Sequence, residues 1–597
     1  MDTDKVPFIS ALRTFSILKE YFVRGRRHLA LGVLSLLLVD LLQMLIPLVI
    51  KKAVDALTLG TATRALLVRQ GMIIVVIALF IAMLRYLWRH LLLGLSRKVE
   101  EGLRNKLYRH LQTLPQSFYN RTKTGDIMAR AVNDINAIRM ATGMGLVALT
   151  DGLVIGIAAV GFMLYISPLL TLISLVPAPL IILLTRLLTR RMSTGHEMVQ
   201  KAFSDLTERV REAFSGIMIV KAYAREGWQY ERVKERGEEC VSRNIELAQT
   251  MAVFFPMMAV FPNLGMAIVI WMGGRLTILG SITTGDFVAF ISYLNLLVWP
   301  MMAIGWVTTL IQRGAASMRR INRILDERPE VLDPPSSPGN VKIEGKIEIK
   351  GLSFKYPGQS VYALRDINLR IERGETVALV GTVGSGKTTL LQVIPRLLDV
   401  PRGAVFIDGM DVRGIPLKVL RENIGFVTQD AILFSDTIRN NVVFGREGVS
   451  EEVLLETLEA AQVRGEVMAL EKGLDSILGE GGITLSGGQR QRLTIARALI
   501  TDPPILILDD AFSMVDTTTE ARILEKILEM RKDRTNLVVS HRVPTIERAD
   551  RILVLKDARL VEEGDHRTLL EKGREYRRIY QRQVLTRELG IEMSTQG

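Results

Sequence analysis

A single cysteine, Cys240, stands in a chain of 597 residues. No internal disulfide can form, which fits reducing surroundings. Charge is missing over long stretches. Residues 249–274 and 287–312 hold no charged side chain, and residues 140–185 hold one, Asp151. Soluble cores rarely repeat uncharged runs of this length, so a large soluble protein of buried helices is set aside. Also missing, from the N-terminal MDTDKVPFISALRTF, is a short apolar core followed by a small-residue cleavage site; no removable signal peptide is expected. What the chain does carry is a formal net charge of +13 and 48% hydrophobic residues. In so apolar a chain the basic surplus is expected in cytoplasmic loops, and no nucleic-acid partner is expected.

Crossing a bilayer takes about 20 apolar helical residues. Six runs meet this, at about 28–50, 71–93, 143–165, 168–189, 249–273 and 287–311, with Ser167-Pro168 turning the chain between the third and fourth. Lysine and arginine set the orientation. Residues 1–28 carry six, 94–143 nine and 190–248 eleven; the other side carries four in 51–70 and one, Arg275, in 273–286. The basic side, and with it both termini, is expected in the cytoplasm of a multi-pass cell-membrane protein. Cys240 lies on that side and suggests itself as a labelling probe. The two long inner loops have helical periodicity and should extend the membrane helices into the cytoplasm. Each holds a less regular patch, SFYNRTKTGD (117–126) and EAFSGIMIVKAYAREG (212–227), suited to contact a cytoplasmic domain or to close a solvated hairpin. Asp40, Arg85 and Asp151 fall in the inner half of the spans. One arginine between two aspartates compensates itself, so a structural ion cluster is expected rather than a substrate site. Phe254, Phe255, Met257, Met258, Tyr293, Trp299 and Trp306 either line an apolar cavity or pack helices.

Past Arg313 the composition turns charged, and RPEVLDPPSSPGN (328–340) reads as a linker. The expected division is a transmembrane domain 1–325, a linker 326–344, an α/β P-loop domain 345–590 and a tail 591–597. In the second half GTVGSGKT, Gly381 to Thr388, falls between the apolar ETVALV and TLLQVI. Such a loop cradles phosphates with its backbone N–H groups; Lys387 would neutralise phosphate charge and the Thr388 hydroxyl would bind Mg²⁺. ILILDDAFSMVD (505–516) drives an aliphatic strand into two acids. Asp509 fits an acid that holds Mg²⁺, and the next position suits a general base for water.

Further motifs give the chain its likeness. LSGGQ (485–489) is followed by RQRLTIARAL; Gln429 stands in GFVTQD, Tyr356 in FKYPG, His541 in VVSHR, and SMVD spans 513–516. Together with TGDIMARAVND (124–134) and EAFSGIMIVKAYARE (212–226), they make the chain resemble an ABC exporter half-transporter over nearly its whole length. The resemblance implies the following roles. Tyr356 stacks on adenine. Gly381, Thr382, Val383, Gly384, Ser385, Gly386, Lys387, Thr388 and Thr389 hold the phosphates of ATP. Thr388, Gln429 and Asp509 attend Mg²⁺. Asp510, with His541 and Gln429, serves hydrolysis. Ser486, Gly487, Gly488 and Gln489 complete the site of a second chain. It also implies an amphipathic small-molecule substrate, a lipid surround and alternating access driven by ATP. Two departures stand out. Asp510 occupies the position where the family's base is Glu, and GEGG (479–482) replaces the common GERG. Asp is one methylene shorter, and a misplacement of about 1 Å can cost roughly 100-fold in rate. With an intact LSGGQ, this resembles the degenerate-site subunit of a bacterial heterodimeric exporter. A homodimer using Asp510 as a slow base, and an ATP-gated regulator without pumping, are the alternatives. A soluble ABC ATPase and an importer are disfavoured.

Overall fold

The structure, a computed structural model, describes residues 14–334, 341–479, 485–540 and 542–588. The chain separates into two compact units, one of residues 1–112 and 124–327 and one of residues 113–123 and 328–597.

Long helices build the first unit: α1 (Arg26–Thr58), α2 (Arg64–Leu111), α3 (Thr124–Ile166), α4 (Pro177–Ser215), α5 (Glu226–Ile268) and α6 (Thr284–Leu325). Among the described residues α1, α2, α3 and α6 are long and apolar enough to cross a membrane. The expected fourth and fifth spans run partly over side chains outside the described residues, Phe255 and Met258 among them. The fourth is also broken: Ser167 caps a short helix Pro168–Ser174, and α4 starts anew at Pro177, which has no N–H to continue the preceding turn. Helix α2, of 48 residues, is roughly 70 Å long, more than twice a bilayer core, and runs on into the first of the two long loops as expected.

Helix α1 packs on α2, α3 and α6, and α4 pairs with α5. One core gathers Met44, Ile155, Met163, Phe290 and Tyr293. Tyr293 is fully buried, stacks on Phe162 and donates its hydroxyl hydrogen bond to the Met44 carbonyl at 2.8 Å, so it is a packing residue and lines no cavity. Trp299 and Trp306 stay 48% and 41% exposed. Leu79, Met83, Ile157 and Ile278 are exposed too, which suits a surface solvated by lipid. At one end Thr283 and Asp286 cap α6 reciprocally, and Lys51 pairs with Asp286 at 2.5 Å.

Two expectations need correcting. Arg85 is exposed and makes no ion pair with Asp40 or Asp151 among the described residues; Asp151 instead accepts a hydrogen bond from the Trp299 indole at 3.1 Å. The helix faces separate charges that sequence alone brings to one depth. Cys240, on α5, is only 9% exposed and is a poor probe.

Of the first irregular patch, 117–126, residues up to Lys123 belong to the second unit, where the Ser117 hydroxyl donates to Glu330 at 3.0 Å, and the rest to the first. The other forms a short helix, Ile217–Ala222, with Met218, Ile219 and Tyr223 exposed.

The second unit holds two sheets. In one, β1 (Ile347–Phe354) pairs antiparallel with β2 (Leu364–Ile371) and with β4 (Val405–Ile407), which pairs with β5 (Met410–Asp411). The other has the order β10-β9-β3-β8-β7-β6, formed by β3 (Thr376–Gly381), β6 (Ile424–Val427), β7 (Ile505–Asp509), β8 (Thr535–Val539), β9 (Arg551–Lys556) and β10 (Arg559–Gly564). The strands from β9 to β6 are parallel. Strands β3, β7 and β8 are buried throughout, as the mostly apolar strands of a parallel sheet covered on both faces must be. Their carboxyl ends therefore share one edge, where such sheets bind ligands.

Candidate nucleotide site

Strand β3 ends at Gly381 and helix α7 (Lys387–Val393) starts six residues on. Between them the backbone turns through Gly384 at φ 81° and Gly386 at φ 100°, a region closed to most side chains. A Cβ on Gly381 would come within 2.3 Å of the Leu555 carbonyl oxygen, and one on Gly386 within 2.4 Å of that of Ala363. The glycines are thus required by close backbone approach. Thr382, Val383 and Gly384 face solvent, Val383 at 95%.

Lys387 is buried, and its ammonium donates to the carbonyls of Gly381 and Thr382, each at 2.9 Å. Burial pushes its pKa down, while Asp509 and Asp510 pull it back up. Among the described residues its bonded partners are these carbonyls alone, which leaves its charge available to an anion. Ser385 is 2% exposed and its hydroxyl meets no hydrogen-bond partner among the described residues, a buried polar atom suited to a phosphate oxygen. Thr388 donates to Asp509 at 3.3 Å. Burial raises the Asp509 carboxyl to about 6; the Thr388 hydrogen bond and Lys387 oppose the shift and Asp510 adds to it. A hydroxyl and a carboxylate this close fit Mg²⁺, which keeps waters and phosphate oxygens as its other ligands.

Asp510 follows β7 in the left-handed region, at φ 49°, where a short Asp is tolerated better than longer residues. It is half-buried. Gln429 lies in an exposed loop two residues beyond Val427, whose partner in the sheet is Leu508. Tyr356 is half-buried, edge-on to Phe354, and its hydroxyl lies 3.0 Å from that of Thr389 on α7. His541, and residues 480–482 of GEGG, lie outside the described residues.

The LSGGQ segment lies apart from this cluster. Ser486 caps helix α8 (Gly487–Leu499) and exchanges hydrogen bonds with Gln489 at 3.2 and 2.9 Å. Ser486 is exposed and Gly487 to Gln489 half-exposed, so the first turn of α8 lies at the surface. Sequence reasoning missed what holds it. Gln491, 1% exposed, donates to the Ser513 hydroxyl at 2.6 Å and accepts from the Met514 N–H at 2.7 Å. A Cβ on Gly487 would meet the Met514 sulfur at 2.5 Å. Arg492 binds Glu466 at 2.8 and 2.9 Å. The available signal was Gln491 as a polar residue on the inward face of α8. The LSGGQ turn and the SMVD segment behind the acids thereby form one hydrogen-bonded block.

The family models agree with this arrangement. The ABC transporter transmembrane region matches residues 29–301, and the ABC transporter model matches residues 364–513. The probable multidrug resistance ABC transporter ATP-binding/permease protein YheI of Bacillus subtilis is 34% identical, covering 96% of this chain and 98% of its own. The multidrug resistance-like ATP-binding protein MdlA of Escherichia coli is 34% identical, over 96% and 97%. The ATP-dependent lipid A-core flippase of Syntrophus aciditrophicus is 37% identical, over 84% and 83%. A solved bacterial Atm1-family ABC exporter with ATP bound superposes with a TM-score of 0.77 at 26% identity, covering 96% of this chain and 99% of its own. The chain belongs to the ABC transporter family, as an exporter half-transporter in which a multi-pass membrane domain precedes one nucleotide-binding domain.

Proposed function

We propose that the chain exports amphipathic small molecules, drugs or lipids, across the cytoplasmic membrane as one half of a heterodimer whose own hydrolytic site is slow. The relatives' names, multidrug resistance and lipid flippase, support the substrate class. ATP with Mg²⁺ would sit on Ser385, Lys387, Thr388 and Asp509, with Tyr356 against the base. The group supplies a phosphoryl bond to hydrolyse and the binding energy that favours the closed dimer. The outward LSGGQ turn would complete the partner's site, and the exposed Ile217–Ala222 helix would dock on the partner. Six spans with both termini inside remain the proposed topology, supported by 26 basic residues on one side against 5 on the other. An impermeant thiol reagent on Ser193→Cys, an exposed position, in a Cys240→Ala background tests it. Labelling in intact cells would reverse the orientation.

One observation carries the heterodimer reading: a shortened base, Asp510, beside an intact signature turn. The test is ATPase of the tagged, purified complex together with its native mass. A second, different chain in the complex and slow turnover by this chain alone are expected. If this chain alone is as fast as any complex and Asp510→Asn abolishes that rate, Asp510 is the working base of a homodimer. Uptake against a gradient into vesicles separates a pump from an ATP-gated regulator.

A further inference from the structure

Asp40 sits in the middle of α1 at 1% exposure, and no hydrogen-bond donor among the described residues reaches either of its carboxyl oxygens. Its surroundings on α1 and α3 are apolar, with Leu36, Val39, Met44 and Val147 all buried. Its polar neighbour is the Asp151 carboxyl of α3. The Asp151 Oδ2 accepts from the Trp299 indole of α6 at 3.1 Å. The other charged group acting on Asp40 is Arg85 of α2, exposed and outside ion-pair range. Helix α6 contributes no charge there, since residues 287–312 hold none.

Two ionised carboxylates cannot share such a place. Each alone costs several kcal/mol to bury, and side by side they repel. Both are then pure acceptors and can form no bond with each other; with one proton they form a strong one. The indole N–H favours the charge on Asp151, so the proton belongs on Asp40, in the apolar position. Arg85 offsets the single charge left.

We propose that Asp40 and Asp151 form a proton-binding site inside the membrane domain, holding one proton between them and fastening α1 to α3 through it. The packed bundle then binds a proton that separated helices would not keep. Its stability falls as pH rises and the proton leaves, because two like charges remain between the helices.

The test uses the full-length protein, with any chain that co-purifies, in lipid nanodiscs. Infrared spectroscopy at neutral pH should show a protonated carboxyl C=O band that Asp40→Asn removes and Asp151→Asn removes or shifts. Thermal unfolding should give a Tm that drops toward alkaline pH in the wild type and markedly less in Asp40→Asn, whose amide donates without a proton to lose. No such band in the wild type, a band unchanged in both variants, or parallel pH profiles for wild type and Asp40→Asn overturns the proposal. A sodium-dependent rise in Tm that Asp40→Asn abolishes would assign the site to a metal cation and overturn it equally.

Discussion

The two functional ends of the nucleotide domain are built to different plans. At the carboxyl edge of β3 and β7 the groups are buried: Lys387 on backbone carbonyls, Asp509 at 2% exposure, Ser385 without a partner among the described residues. At the start of α8 the groups are exposed and satisfy one another in a capping box. The first end is a pocket with charge waiting for a ligand of opposite sign. The second is a surface turn in which the capping box binds the N–H groups of Ser486 and Gln489, while those of Gly487 and Gly488 have no partner among the described residues. A site assembled from one chain alone would not need that division.

Removing the pocket's charge should have the largest effect. Lys387→Ala is expected to weaken labelling of this chain by an ATP analogue about 100-fold, from two charge-assisted contacts at roughly 1.5 kcal/mol each. Unchanged labelling would remove the pocket from the comparison. Next is the surface: Ser486→Ala loses a cap worth about 1 kcal/mol and a phosphate-facing hydroxyl, and should slow turnover of the complex on the order of 10-fold. Labelling of this chain's own pocket should stay as it was. Gly488→Asp is a less clean choice, because a Cβ there approaches the Met514 carbonyl oxygen at 2.9 Å and would disturb the SMVD segment.

Acidity sharpens the contrast further. Asp509 is protonated below about 6, so affinity for the Mg²⁺ nucleotide should fall as pH drops through that value. Without ligand the sign reverses. The folded chain keeps a proton that the unfolded chain releases near 3.8, so stability is full below that pH and is lost as pH rises to about 6. Asp509→Asn should consequently raise the Tm of ligand-free protein at neutral pH while abolishing Mg²⁺-dependent binding. A lowered Tm would mean that the carboxylate is satisfied after all. Asp510→Ala should reduce ATPase of the complex by no more than about 3-fold, well short of Ser486→Ala, since a base about 1 Å short contributes little. The reverse ranking would make the pocket self-sufficient. Tyr356→Phe, which keeps the ring and drops one hydroxyl contact to Thr389, should cost about 1 kcal/mol or less, under 10-fold in affinity.

Much of this was legible in the residues. The apolar runs, the strand-loop-helix around GTVGSGKT and the acids closing ILILDD are local patterns, and local patterns survive folding because backbone sterics and burial act over a few residues. The break at Pro177, the role of Tyr293 as core and the burial of Cys240 were not legible, since each depends on which face of a helix meets a neighbour. Arg85, Asp40 and Asp151 show the limit most clearly. Sequence fixes their depth along the helices, from hydropathy and the 1.5 Å rise per residue. It does not fix their azimuth once three helices pack, and azimuth decided that Arg85 points to the outside while the two acids meet.

By itself the sequence determined the division into membrane and nucleotide halves, the phosphate loop and the acids, because each needs particular residue types at fixed spacing. Only the tertiary structure decided that Gln491 ties the LSGGQ turn to Ser513 and Met514, and that Asp40 is left beside Asp151 without a donor among the described residues. These are contacts between residues distant in the chain. No local rule encodes them, and packing selects them by the free energy of the whole core.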